Sequence, residues 1–233
     1  MKTFFRLLFV LFFVAVLVVG FLAYQGQALL EPAAPPGAKW VAFRVGPGQS
    51  GADVADNLFK AGVIKDEFAF RMLLRFHPKG AMIRTGTFRL EPSENSMQVL
   101  DRLLSSEPLT RKATFPEGYI IPQVAEVLRK EHILEDTKHF EELCKSKGKQ
   151  FGEWLPDSLE GYLLPDTHTF PYEANDEAVI SRMTGEFESA IVAQWEKKKS
   201  KAPLKTLHET VILASLVERE AQVDSERGLI AGV

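Results

Sequence analysis

The chain has 233 residues, 45% hydrophobic and 25% charged, with a formal net charge of −3 at pH 7. That length and balance suit one or two globular domains and leave no basic excess that would draw nucleic acid. A single cysteine, Cys144, excludes an intrachain disulfide, and no histidine stands beside it in a pattern that would make it a nucleophile.

The first predicted element is a membrane span. "MKTFFRLLFVLFFVAVLVVGFLAY" opens with Lys2 and Arg6, then runs from Leu7 to Tyr24 without a charge. Roughly 18 apolar residues lie at the edge of what crosses a ~30 Å hydrocarbon layer, and exceed the apolar core of a cleaved signal peptide. We expect a retained anchor over residues 1–24. The positive flank precedes the span, so the N-terminus is expected in the cytoplasm and the body outside it. Residues 25–39, "QGQALLEPAAPPGAK", read as a Pro-, Gly- and Ala-rich linker holding the body off the membrane.

A weak repeat follows. "RVGPGQSGADVADNL" (44–58), "RLEPSENSMQVLDRL" (89–103) and "TFPEGYIIPQVAEVL" (114–128) share one form. Each has a short extended piece, then proline with a Gly, Ser or Glu neighbour, then an amphipathic helix. Val54 and Leu58, Val99 and Leu103, and Val124 and Leu128 stand four apart, as a buried stripe requires. Two readings stay open: unrelated strand–turn–helix units, or a small α+β module of the glycan-binding kind. Further helices are predicted near 65–76, 136–147 and 175–199. The last has acids in its first turn and the lysine run Lys197 to Lys199 as its solvated end. "KAPLKT" breaks the chain before a closing helix over residues 207–223.

Two stretches carry candidate chemistry. "SLEGYLLPDTHTFP" (158–171) gathers Glu160, Asp166, Thr167 and His168 around Gly161 and Pro165, which deny it a regular helix. A rigid polar loop beside Tyr162 and Phe170 suits a sugar, whose hydroxyls take acceptors and whose ring faces take aromatics. The alternative is an ordinary turn in which Asp166 caps the next element. "EGYIIP" at 117–122 echoes "EGYLLP" at 160–165, with Glu117 read as the first-turn charge of a helix.

The second stretch is "LASLVEREA" (213–221), an apolar run with two acids. At about 100° per residue, Glu220 falls inside the arc of Ile212, Leu213, Leu216, Val217 and Val223, and Glu218 falls opposite with Ala214 and Ser215. A carboxyl in an apolar pocket holds its proton and can give it to a leaving oxygen, as a general acid in glycosidic cleavage must. A buried Glu paired with Arg or Lys is the alternative. The five histidines, His77, His132, His139, His168 and His208, show no zinc spacing, and neither HExxH, GxSxG nor a phosphate loop occurs. No metal or other cofactor is expected.

With these residues in view, the chain resembles the endolytic murein transglycosylase family (MltG, YceG-like). The resemblance rests on "LEGYLLPDTHTF" (159–170), "LASLVEREA" (213–221) and "SERGLIAGV" (225–233), in that order behind an N-terminal anchor. It implies an α+β protein of the bacterial inner membrane. The order would be a single transmembrane helix, a LysM-like subdomain over 40–110, then a mixed α/β catalytic domain over 111–233. Members of the family continue past the position of Val233, so that domain is expected to be incomplete. The implied reaction is a lyase cleavage of the MurNAc–GlcNAc bond in peptidoglycan glycan strands, leaving 1,6-anhydro ends and terminating strand elongation. Partners implied are glycan strands, the membrane and cell-wall synthases such as penicillin-binding proteins. The second glutamate of the family's VE-x-E segment, its catalytic acid, matches Glu220. Its EGxxxPDT loop matches Glu160, Gly161, Pro165, Asp166 and Thr167, implied to line the glycan cleft with Tyr162 and Glu218. A membrane-tethered peptidoglycan-binding module or synthase scaffold is the alternative without catalysis, and a lysozyme-like hydrolase the alternative with it.

Overall fold

The structure, a computed structural model, describes residues 2–232. It divides into two compact units, the first ending at Leu109 and the second beginning at Thr110.

The first unit opens with α1 (Lys2–Leu30). Among the described residues, its stretch Phe9–Leu30 is the one helix long and apolar enough to cross a membrane. The helix runs six residues into the stretch read from sequence as linker, because its end is packed. Ala28 is buried, Glu31 pairs with Lys65, and Ala34 N–H donates to Pro92 O at 2.8 Å. Proline and glycine density marked a break in helix, and the break comes after Leu30; tertiary contacts then hold what composition suggested was slack.

Next come β1 (Val41–Val45), α2 (Gly51–Lys60), α3 (Glu67–Phe76), β2 (Gly86–Leu90) and α4 (Ser96–Ser105). β1 and β2 pair antiparallel with Phe43 opposite Phe88, both on the buried face. The helices start where side chains satisfy their first N–H groups. Ser50 and Asp53 form a capping box at α2, Asp66 caps α3, and Asn95 and Gln98 form a box at α4. Val54, Leu58, Phe70, Val99 and Leu103 close the core over the two strands. Each such fully buried side chain stabilises the fold by about 1.5–3 kcal/mol relative to exposure.

The second unit contains β3 (Thr110–Thr114), α5 (Ile121–Lys130), α6 (Lys138–Ser146), β4 (Thr167–Pro171), α7 (Asp176–Phe187), α8 (Ala193–Lys198), α9 (Leu207–Glu220) and α10 (Asp224–Ile230). β3 and β4 are antiparallel, with Thr114 opposite Thr167. The long helix predicted over 175–199 is interrupted by a π-helical turn, Glu188–Val192. The predicted 207–223 helix ends at Glu220, where Ala221 turns extended. The helix behind "EGYIIP" begins only at Ile121, so Glu117 lies in the preceding turn and not in the helix.

The sequence repeat corresponds to real elements. Its three copies are β1 with α2, β2 with α4 and β3 with α5, and their valine and leucine pairs are all buried. A fourth copy, β4 with α7, escaped the sequence reading; Val179 and Met183 fill its buried positions. After α1 in the first unit, and from its start in the second, each unit thus runs in the order strand, helix, helix, strand, helix. The likeness extends to the turns. Val63 N–H donates to Leu58 O at 3.0 Å, and Ile133 N–H to Leu128 O at 2.9 Å. Gly62 takes φ +68° in the first unit, and His132 takes φ +54° at the matching place in the second. A histidine there carries the left-handed penalty that glycine avoids. His132→Gly should stabilise the chain by about 0.5–1 kcal/mol, read as a higher urea midpoint at unchanged slope.

The units differ in one connection. The connection from α3 to β2 is short, residues 77–85. Its counterpart from α6 to β4 is residues 147–166, and this longer segment carries the "EGYLLPD" loop.

Candidate functional site

The loop is built around one aromatic. Gly161 at φ +83° reverses the chain and drives Tyr162 inward. Tyr162 is 1% exposed, with its ring 5.2 Å from Phe187, 6.2 Å from Trp154 and 6.1 Å from the stacked imidazole of His208. Its hydroxyl shares a hydrogen bond with His208 Nδ1 at 2.8 Å, and burial pushes the phenol above its ordinary pKa. Tyr162 is therefore a core residue and not a sugar platform, which corrects the sequence expectation. Phe170, 0% exposed against Phe115, is corrected likewise. Such large rings bury more area in this unit's interior than a loop surface offers them. Nothing in the sequence singled out His208, the residue that staples the loop to α9; no motif surrounds it.

The polar residues of the loop stay at the surface. Glu160, Pro165, Asp166 and Thr167 are exposed. The carboxylates of Glu160 and Asp166 are fixed by backbone N–H groups nearby. Glu160 Oε2 accepts from Ile121 N–H at 3.4 Å, at the start of α5, where the helix dipole favours an anion. Asp166 Oδ1 accepts from Thr167 N–H at 2.6 Å, and Asp166 O from Phe115 N–H at 3.0 Å. The hydroxyls of Thr114 and Thr167 meet across the strands at 2.8 Å. Behind them His168 is wholly buried, its Nε2 2.7 Å from Leu164 O. Its Nδ1 lies 2.8 Å from Glu186 Oε2 but too obliquely for a hydrogen bond, so that contact is an ion-pair approach when the ring is charged. The loop is a preformed edge of carboxylates and a hydroxyl on a rigid hydrophobic base.

α9 begins with a capping box of Thr206 and Glu209. Its inner face is set by Val211, which is buried, and by Ser215. An added Cβ on Gly161 would meet Val211 Cγ1 at 3.0 Å and Ser215 Oγ at 3.3 Å. Leu207, Val211, Ser215 and Glu218 recur at helical spacing and share this face. The other side faces out: Ile212 is 49% exposed and Leu216 54%. Glu220 is on that side and is exposed. This corrects the expectation that Glu220 is lodged in an apolar pocket. The helical wheel ranked the apolar arc correctly but could not tell which arc meets the protein. Val223, counted in that arc, lies past the helix end in extended backbone.

The two glutamates differ in their partners. Glu218 Oε2 is 3.3 Å from Arg227 Nη2, and Arg227 Nε is 3.2 Å from Asp224. Among the described residues no ion pair or hydrogen bond engages the Glu220 carboxylate. Both acids occupy the last turn of α9, the end at which a helix favours cations. Such a breach of a local rule is characteristic of functional positions. The structure thus brings the 160–165 loop onto α9 through Val211, Ser215 and His208. Glu220 lies five residues beyond Ser215, about 7.5 Å further along the axis. Among the described residues no group of three His, Cys, Asp or Glu could hold a metal ion.

The family model described as YceG-like matches residues 43–233. The chain belongs to the YceG-like family. It is 27% identical over 221 residues to the endolytic murein transglycosylase of Streptococcus pneumoniae serotype 2 (strain D39), covering 84% of this chain and 40% of that protein. It is 28% identical over 235 residues to the endolytic murein transglycosylase of Bacillus subtilis (strain 168), covering 93% of this chain and 64% of that protein. This YceG-like chain therefore spans between two fifths and two thirds of the length of these curated relatives. A solved YceG-like protein of Listeria monocytogenes matches at 20% identity with a TM-score of 0.41, over 81% of this chain and 66% of that one.

Proposed function

We propose that this YceG-like chain carries the glutamate of an endolytic lytic transglycosylase acting on peptidoglycan glycan strands. It would be held at the bacterial inner membrane by α1, with its N-terminus cytoplasmic and both units outside, and the βααβ core of the first unit would be LysM-like. Cell-wall synthases are the partners this reading implies, with strand termination as its role. The observation that carries it is the unengaged carboxylate of Glu220, in a segment shared with a family whose named relatives are murein transglycosylases. Glu218, committed to Arg227, is the poorer candidate and is assigned to holding α9 against α10.

In this reading Glu220, protonated, donates to the glycosidic oxygen as positive charge develops at C1 of the muramic acid. The same carboxylate then takes the proton of that sugar's C6 hydroxyl as its oxygen bonds to C1. One C–O bond breaks, one forms, and no water enters. A general acid needs a water-poor setting, and the free chain leaves Glu220 exposed. Leu216 and Val223, four before and three after it, are 54% and 55% exposed. A sugar ring seated on them would exclude water from the carboxyl as it bound, favouring the protonated form at the moment of reaction. Glu160, Asp166 and Thr167 would orient sugar hydroxyls; Pro165 would keep their spacing. The test is to incubate the full-length protein with uncrosslinked glycan and analyse the products by mass spectrometry. New 1,6-anhydro ends support the reading. Reducing ends indicate a hydrolase, and binding without cleavage indicates a scaffold.

A further inference from the structure

The outer face of α3 is unlike the rest of the first unit. Ala69, Phe70 and Leu74 point into the core. On the opposite side Phe68 is 49% exposed and Phe76 74%, with Arg71, Met72 and Arg75 between them, and Met82 follows at 67%. Phe68, Met72, Arg75 and Phe76 recur at one helical face. From Phe68 to Leu90 the sequence has five bases, Arg71, Arg75, Lys79, Arg84 and Arg89, and no acid; at its two ends Arg71 pairs with Glu67 and Arg89 with Glu91. Aromatic and thioether side chains interleaved with arginines on one face form the pattern of an interfacial helix.

The position of this face decides between possible occupants. Phe68 packs against Phe21 of α1, ring centroids 5.9 Å apart. Phe21 lies three residues, about 4.5 Å of helix, before the apolar run closes at Tyr24. Phe68 is thus held against the outer half of the stretch Phe9–Leu30, just before its first polar residues, Gln25 and Gln27, where a spanning α1 turns from hydrocarbon towards headgroups. The tie between Glu31 and Lys65 and that from Ala34 to Pro92 fix the unit to the end of α1. We infer that the α3 face, with Phe68, Arg71, Arg75, Phe76 and Met82, rests on the membrane from which α1 emerges and recognises anionic phospholipid headgroups. This rests on the membrane-anchor reading of α1. The aromatics enter the interface and the guanidiniums meet phosphates.

The test uses the full chain with Phe76→Cys carrying an environment-sensitive fluorophore. Cys144 does not compete for label: it is buried, and desolvation pushes its thiol up to about 12. The chain is reconstituted into vesicles of phosphatidylethanolamine and phosphatidylglycerol doped with a spin-labelled lipid. The expected result is strong quenching of the fluorophore. Arg71→Glu with Arg75→Glu, or high salt, should lower the membrane-apposed fraction on the order of tenfold. A fluorophore that stays unquenched while the chain still floats with the vesicles overturns the inference and leaves the anchor intact. Equal quenching in pure phosphatidylcholine or in the charge-reversed variant overturns the recognition of anionic lipid. Shielding only on addition of uncrosslinked glycan assigns the face to glycan instead. A chain extracted from the vesicles by carbonate refutes the anchor, and the inference with it.

Discussion

Glu220→Gln should abolish 1,6-anhydro ends while leaving the fold intact. Glutamine keeps the shape but can neither donate the proton to the leaving oxygen nor collect it from the C6 hydroxyl. Loss of one general acid–base group costs about 10²–10⁴-fold, and a residue that serves both steps should fall at the upper end. Stability should be unmoved, because the carboxylate is exposed and engages no partner among the described residues. Glu218→Gln gives the contrast. It releases Arg227 and should loosen the α9–α10 turn, with a smaller loss of rate. Comparison of the two by product mass spectrometry and thermal melting separates chemistry from support. A Glu220→Gln protein that cleaves at the wild-type rate would end the assignment, whatever the family resemblance.

Gly161→Ala should be the most damaging conservative change in the loop, costing about 2–4 kcal/mol. Two effects add. At φ +83° an alanine pays the left-handed penalty, and its methyl would sit 3.0 Å from Val211 Cγ1 and 3.3 Å from Ser215 Oγ. Val211 is buried and cannot yield freely, so α9 must move away from the loop or the loop from α9. The internal echo supplies the control. Gly118, in "EGYIIP", has φ +76° but nothing within 4 Å of an added Cβ. Gly118→Ala should therefore cost only the conformational part, about 1 kcal/mol. Urea unfolding of both variants isolates the packing contribution between loop and helix. If the two lose stability equally, the Gly161 contact carries no energy, and the loop is not braced by α9.

The strand–turn–helix units could be read from the chain because their signal is local. A proline beside a small polar residue starts a helix, and a valine and leucine four apart give it one apolar side with no competing choice. Those residues are buried wherever the pattern was seen. The fourth copy was hidden because methionine stands at Met183, where the other copies have leucine. The loop was recognisable as irregular and polar, since Gly161 and Pro165 forbid helix. Its aromatics were misread because sequence carries no sign of whether a ring beside polar residues faces in or out.

Sequence alone determined the apolar N-terminal helix, three of the strand–turn–helix units, the irregular polar loop and the placing of two glutamates two apart on a helix. Only the tertiary structure decided which side of each helix is covered. α9 has apolar residues on two sides, and Gly161, Tyr162 and His208 chose the side of Val211 and Ser215, leaving Leu216 and Glu220 outward. The physical reason is that periodicity records only differences in polarity around a helix. The burying surface belongs to residues distant in the chain, and their contact energy settles the orientation.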